Sequence, residues 1–199
     1  MKLWSNRYGK AKVRVLKKLR ENGIDTFKEL EVKVILEGAF DTAYSAGDNR
    51  EIVATDTMKN TVNVFAYEKL GVETEPFVVE LAAHFLDKYP QVSGVEIETE
   101  ERVWERITKD GSPSPTNFSA TMLSTFGSKE SPSVQTTLYE MGKAALAACS
   151  EIDRISLTMP NLHCLLIDLA PFRRPNQNTL FLPTDAPQGW IEGTVARGE

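Results

Sequence analysis

Histidine and cysteine are scarce in this sequence, with two of each among 199 residues. His84 and His163 alone cannot build a multi-histidine metal centre. Cys149 and Cys164 have neither the spacing of a metal knuckle nor the density of a disulfide scaffold, and both are read as reduced. Long apolar runs are lacking too: nothing approaches the ~18 residues of a membrane span, and Ser5-Asn6-Arg7 turns polar before a signal-peptide core can form. Basic clusters are also absent. The chain carries 23 Lys+Arg against 28 Asp+Glu, a balance that argues against a nucleic-acid footprint. The final Arg197-Gly198-Glu199 is no peroxisomal address. The expectation is a cytoplasmic protein of bacterial type, with neither nucleic acid nor membrane as partner.

The sequence does hold enough apolar material, 41% of residues, for an ordinary core. Val13 and Val15 alternate with Lys12 and Arg14, and Leu30, Val32, Val34 and Leu36 alternate with Glu31, Lys33 and Glu37. Both patterns predict half-buried strands, and Asn22-Gly23 between them predicts a hairpin turn. Met58, Val62, Phe65 and Ala66 share one helical face, with Thr55 or Asp56 expected as N-cap. Thr74-Glu75-Pro76 opens a second helix whose Phe77, Leu81, Phe85 and Leu86 fall on one side. A third strand follows over 92–107, where Val95, Ile97 and Thr99 alternate with glutamates.

The stretch 108–117 contains Asp110-Gly111 and two prolines, which marks a boundary. Beyond it come a short helix around Met122, Leu123 and Phe126 and a longer one over 133–149, with Ser131-Pro132 expected as N-cap and N1. The segments 155–169 and 179–195 read as strands. The order ββααβ followed by ααββ predicts an α+β fold: an antiparallel sheet with helices on one face, in two units over 1–118 and 119–199.

Four polar clusters lie at element borders: Arg7-Tyr8-Gly9-Lys10, the run from Ala54 through Thr55-Asp56-Thr57-Met58-Lys59 to Asn60, Ser133-Val134-Gln135, and Pro160-Asn161-Leu162-His163. Together they resemble the urate oxidase family. That resemblance implies two tandem tunnelling-fold (T-fold) units of order ββααββ, a homotetramer with sites between subunits, and oxidation of urate by O2 without metal or organic cofactor. It further implies that Lys10, Thr55 and His163 act as a proton relay, and that Thr55, Asp56, Val134, Gln135 and Asn161 contact urate. Against the family template the chain lacks the last strand of the first unit and the first two of the second. The stacking phenylalanine and clamping arginine of the family fall in that gap, and Arg173 and Arg174 stand in a different context.

Each residue also has a plainer reading. Lys10 alone reads as a solvated strand residue, Gln135 as an exposed first-turn glutamine, His163 as a structural histidine and His84 as part of an apolar helix face. The competing functional reading is a catalytically impaired T-fold protein that binds purines or serves as an assembly partner. A pterin- or GTP-processing relative would need a zinc site or a carboxylate anchor, and the scarcity of His and Cys speaks against zinc.

Overall fold

A computed structural model of the chain describes residues 3–21, 24–104, 118–128 and 131–198. The chain packs as two compact units, one from Met1–Trp104 with Cys164–Pro183, the other from Glu105–His163 with Thr184–Glu199.

In the first unit, β1 (Arg7–Glu21) and β2 (Ile24–Gly38) form the expected antiparallel pair, and β3 (Val92–Arg102) adds on the far side of β2. The third strand, expected to run to residue 107, ends at Arg102, with Val103 and Trp104 already outside it, while the Asn22-Gly23 turn and residues 105–107 lie outside the described residues. Leu30, Val32, Val34 and Leu36 of β2 are fully buried, because their face receives α2 (Thr55–Lys69) and α3 (Glu75–Lys88). Met58, Val62 and Ala66 of α2 and Phe77, Leu81 and Phe85 of α3 complete this core. Each large side chain removed from water there contributes about 1.5–3 kcal/mol. Leu86, expected on the same side, is 43% exposed: it follows Phe85 directly and points about 100° away around the helix.

The opposite face of the sheet is charged. Lys33 Nζ lies 2.7 Å from Glu98 Oε1, Arg7 Nη1 2.9 Å from Glu96 Oε2 and Arg14 Nη2 3.2 Å from Glu29 Oε1. Glu29 is almost fully buried, so it also accepts from Trp104 Nε1 at 3.1 Å. On the helix side of the sheet, half-buried Lys17 donates to the Ala66 and Tyr67 carbonyls at 3.0 and 2.8 Å, pairing a cation with the exposed carbonyl end of α2. Burial holds its ammonium below the usual lysine range.

Two expected strands are each broken in two. Segment 155–169 forms β4 (Arg154–Asn161) and β5 (Cys164–Leu166), and segment 179–195 forms β6 (Leu180–Pro183) and β7 (Gly189–Ala196). β5 and β6 join the first unit, giving the sheet order β3-β2-β1-β6-β5, while β4 and β7 pair antiparallel in the second. The breaks fall at 162–163 and at 184–188, and the second, Thr184-Asp185-Ala186-Pro187-Gln188, was a readable turn signal. A short helix, α1 (Asp41–Ser45), and a 3-10 turn at Ala170–Phe172 were also not foreseen.

In the second unit α4 (Phe118–Ser128) and α5 (Val134–Ala148) precede the β4–β7 pair. The N-cap of α5 is Ser133, not Ser131: Ser133 Oγ accepts from Thr136 N at 3.1 Å, while Ser131 Oγ donates to the Ser133 carbonyl at 2.9 Å. α5 packs on β4 and β7 through Leu138, Gly142, Ala145 and Leu146, and Arg197 closes its far end by donating to the Cys149 carbonyl at 2.7 Å. Among the described residues no helix is long and apolar enough to cross a membrane.

Candidate active site

Lys10 owes its position to a β-bulge. Lys10 pairs with Val34, yet the next paired residue of β1, Val13, meets Val32, so β1 spends three residues where β2 spends two. Lys12 takes φ 57° inside this bulge. The extra residue inverts the alternation: Val13 and Val15 face the core after the bulge, and Lys10, directly opposite fully buried Val34, faces the same side before it. Simple alternation back from Val13 would have placed Lys10 on the charged face. Gly9 permits the close approach, since a Cβ there would come 1.8 Å from the Val34 carbonyl oxygen.

The same face carries the start of α2. Ala54, extended at φ −56°, ψ 137°, is the N-cap and makes no side-chain capping bond. Thr55 and Asp56, expected as caps, are instead the first and second helical residues, because the helix opens one residue earlier than the polar pair suggests. That leaves the Thr55 side chain exposed and free of a capping role. Asp56 Oδ1 lies 3.1 Å from Lys59 Nζ and 3.9 Å from Lys10 Nζ. The Lys59 hydrogen bond, with the charges of Lys59 and Lys10, holds the Asp56 carboxyl below the usual carboxylate range.

Tyr8 ties strand to helix. Its hydroxyl accepts from Val53 N at 2.7 Å and donates to the Val53 carbonyl at 3.2 Å, and its ring meets Phe40 edge-on at 4.8 Å. Burial raises the phenol above its ordinary value, with the Val53 backbone bond opposing. Tyr8 is two residues before Lys10 and Val53 two before Thr55, so this bridge sets their spacing.

Sequence reasoning missed both Tyr8 and Lys59. The i, i+3 spacing of Asp56 and Lys59 was a readable signal, whereas Tyr8 binds backbone and leaves no side-chain partner in the sequence. Lys10, Lys12, Lys59 and Asn63 also line a cavity of about 370 Å3, with Leu165, Leu166 and Leu182 as its apolar wall.

The second unit holds the other expected residues. Val134 and Gln135 occupy the first turn of α5, with Val134 half-buried and Gln135 exposed. Asn161 ends β4 opposite Gly189, and His163 follows it, both side chains exposed. The His163 carbonyl accepts from Thr184 N at 3.0 Å and Thr184 Oγ1 at 2.9 Å, which fixes the backbone and leaves the imidazole without a hydrogen-bond partner among the described residues. Arg174 pairs with Glu68 in the first unit. No cluster of three or more metal-ligating side chains occurs among the described residues.

The family model for uricase matches residues 6–122 and 114–192. The chain belongs to the uricase family. It is 29% identical to the uricase of Arthrobacter globiformis over 272 aligned positions, covering 98% of this chain and 90% of that protein. It is 27% identical to the Dictyostelium discoideum uricase, covering 98% and 97%. The crystal structure of the Arthrobacter globiformis uricase superposes with a TM-score of 0.51 at 28% identity, covering 99% of this chain and 95% of that one. The chain is accordingly an oxidoreductase of the urate oxidase family with the α+β T-fold. An alignment of 272 positions laid over 199 residues leaves several tens of positions of the relative with no counterpart here.

Proposed function

We propose that this uricase-family chain oxidises urate with O2, using its own side chains and no cofactor. Urate gives up two electrons to O2, which becomes hydrogen peroxide with two protons, and a water oxygen adds to the ring carbon to give 5-hydroxyisourate. Such chemistry needs a base that removes a proton from urate, and a group that shuttles protons between ring, water and peroxide.

Lys10, Thr55 and His163 form this relay. Thr55, Asp56, Val134, Gln135 and Asn161 hold the ring, with Gln135 supplying a donor and an acceptor from one amide. The first turn of α2 adds free backbone N–H groups suited to an anionic heterocycle. The observation that carries the reading is the bulge that turns Lys10 to the face shared by the first turn of α2. The working assembly is a homotetramer of cytoplasmic location, as the family resemblance implies.

The shortened alignment favours a second reading, a chain that binds purines or assembles with partners without turning over. Peroxide release from urate under air separates the two. The expected result is one peroxide per urate consumed, with a Lys10→Ala, Thr55→Ala variant slower by about 10²-fold or more. A folded sample that binds urate and releases no peroxide overturns the catalytic reading.

A further inference from the structure

Away from Lys10, a second cavity of about 320 Å3 opens between α2 and α3 of the first unit. Its walls are apolar and aromatic, from Val64 and Phe65 of α2 and from Phe172 in the 3-10 turn. Five polar side chains line it as well: Thr57, Asn60, Thr61, His84 and Lys88, of which Thr61 already donates to the Thr57 carbonyl at 2.8 Å. Asn60, His84 and Lys88 make no side-chain hydrogen bond or ion pair among the described residues. The Asn60 amide makes no hydrogen bond with the described residues, and Lys88 has no carboxylate within ion-pair distance among them, its ammonium lying 5.5 Å from the Tyr89 ring centroid. His84 Nε2 is buried with no hydrogen-bond partner, although its ring is held against Phe65 at a centroid distance of 4.8 Å.

Buried polar atoms in folded proteins nearly always have partners, and an unmatched one beside a cavity calls for an occupant. Aromatic walls with a few unspent polar groups are the usual make-up of a small-molecule site of this volume. A lysine outside ion-pair distance of any described carboxylate favours a negative charge, although Asp87 also acts on His84, and flat walls select for a ring. We propose that this cavity binds a small planar aromatic monoanion, stacked among Phe65, Phe172 and His84, with its charge on Lys88 and a polar edge on Asn60. This site is separate from the Lys10 cavity, which shares none of its lining residues.

The chain has only two histidines, so the imidazole proton–carbon NMR correlations of His84 and His163 report on it directly. Benzoate, carrying its charge outside the ring, and urate under nitrogen, carrying it within the ring, are titrated in parallel. The expected result is a saturable shift of the His84 signal by at least one of them in the low-millimolar range, weakened about tenfold or more in Lys88→Met and also weakened in Asn60→Ala. A shift with benzoate alone assigns an aryl carboxylate, and one with urate assigns a purine anion. A His84 signal unmoved by both up to about 20 mM overturns the proposal. An equal shift with neutral benzyl alcohol, or an unchanged shift in Lys88→Met, overturns it too.

Discussion

Replacing Tyr8 by phenylalanine keeps the ring on Phe40 and removes only the hydroxyl that bridges β1 to the approach of α2. Val53 is 4% exposed, and its N–H loses its partner among the described residues. An unmatched buried donor costs about 1–3 kcal/mol. For a chain of this size each kcal/mol moves the thermal midpoint by roughly 2–4 °C. The first unit of Tyr8→Phe is therefore expected to unfold several degrees lower. Hydrogen exchange is expected to quicken at Val53 and Met58, the latter donating to the Ala54 carbonyl at 3.1 Å. If the protein turns over urate, the variant is expected to lose kcat and raise KM together, because Thr55 and Asp56, which the bridge positions, serve both the relay and the ring contacts. Thermal melts, amide exchange by NMR and steady-state kinetics measure these three effects. A loss below about 0.5 kcal/mol with unchanged exchange at Val53 would refute the reasoning, since it would mean that water replaces the hydroxyl at no cost.

Gly142→Ala tests the close packing of α5 on its two strands. The added Cβ would come 2.5 Å from Val195 Cγ2 and 2.9 Å from Val195 Cβ. Overpacking of about 1–3 kcal/mol is expected to exceed the roughly 1 kcal/mol gained in helix propensity, and adding Val195→Ala should recover part of it in denaturant titrations; a stabilised single variant would contradict this. A pH test falls on His84, whose pKa is depressed from its ordinary 6.5, first by burial and then by Lys88, with Asp87 opposing. The unfolded chain then binds the proton more readily, so the first unit is expected to hold its full stability above about pH 6.5 and lose it as the pH falls. Denaturant midpoints from about pH 8 to about pH 5 should fall in the native chain and flatten in His84→Phe; parallel profiles would exclude His84 as the cause.

Much of the first unit was readable from period alone. Leu30, Val32, Val34 and Leu36 alternate because one face of β2 meets helices and the other carries Glu31, Lys33 and Glu37. Met58, Val62 and Ala66 recur at helical spacing for the same reason. The segments 155–169 and 179–195 were less legible. The turn residues Thr184-Asp185-Ala186-Pro187 interrupt the second segment, but neither pattern says that Cys164–Leu166 pairs with β6 while Arg154–Asn161 pairs with β7, a choice made by the partner strands.

Local pattern was enough for the alternating strands, the two amphipathic helices, the scarcity of metal ligands and the motifs that resemble urate oxidase. It could not place Lys10. Alternation is a local property, and counted back from Val13 it sends Lys10 to the charged face. The register between β1 and β2 is a long-range property, set by burying Val32 and Val34 together with Val13 and Val15. One extra residue in that register, accommodated by Lys12 and by the bare backbone of Gly9, turned Lys10 toward α2. The start of α2 was likewise fixed from outside its own sequence, by a tyrosine 45 residues away holding the backbone of Val53.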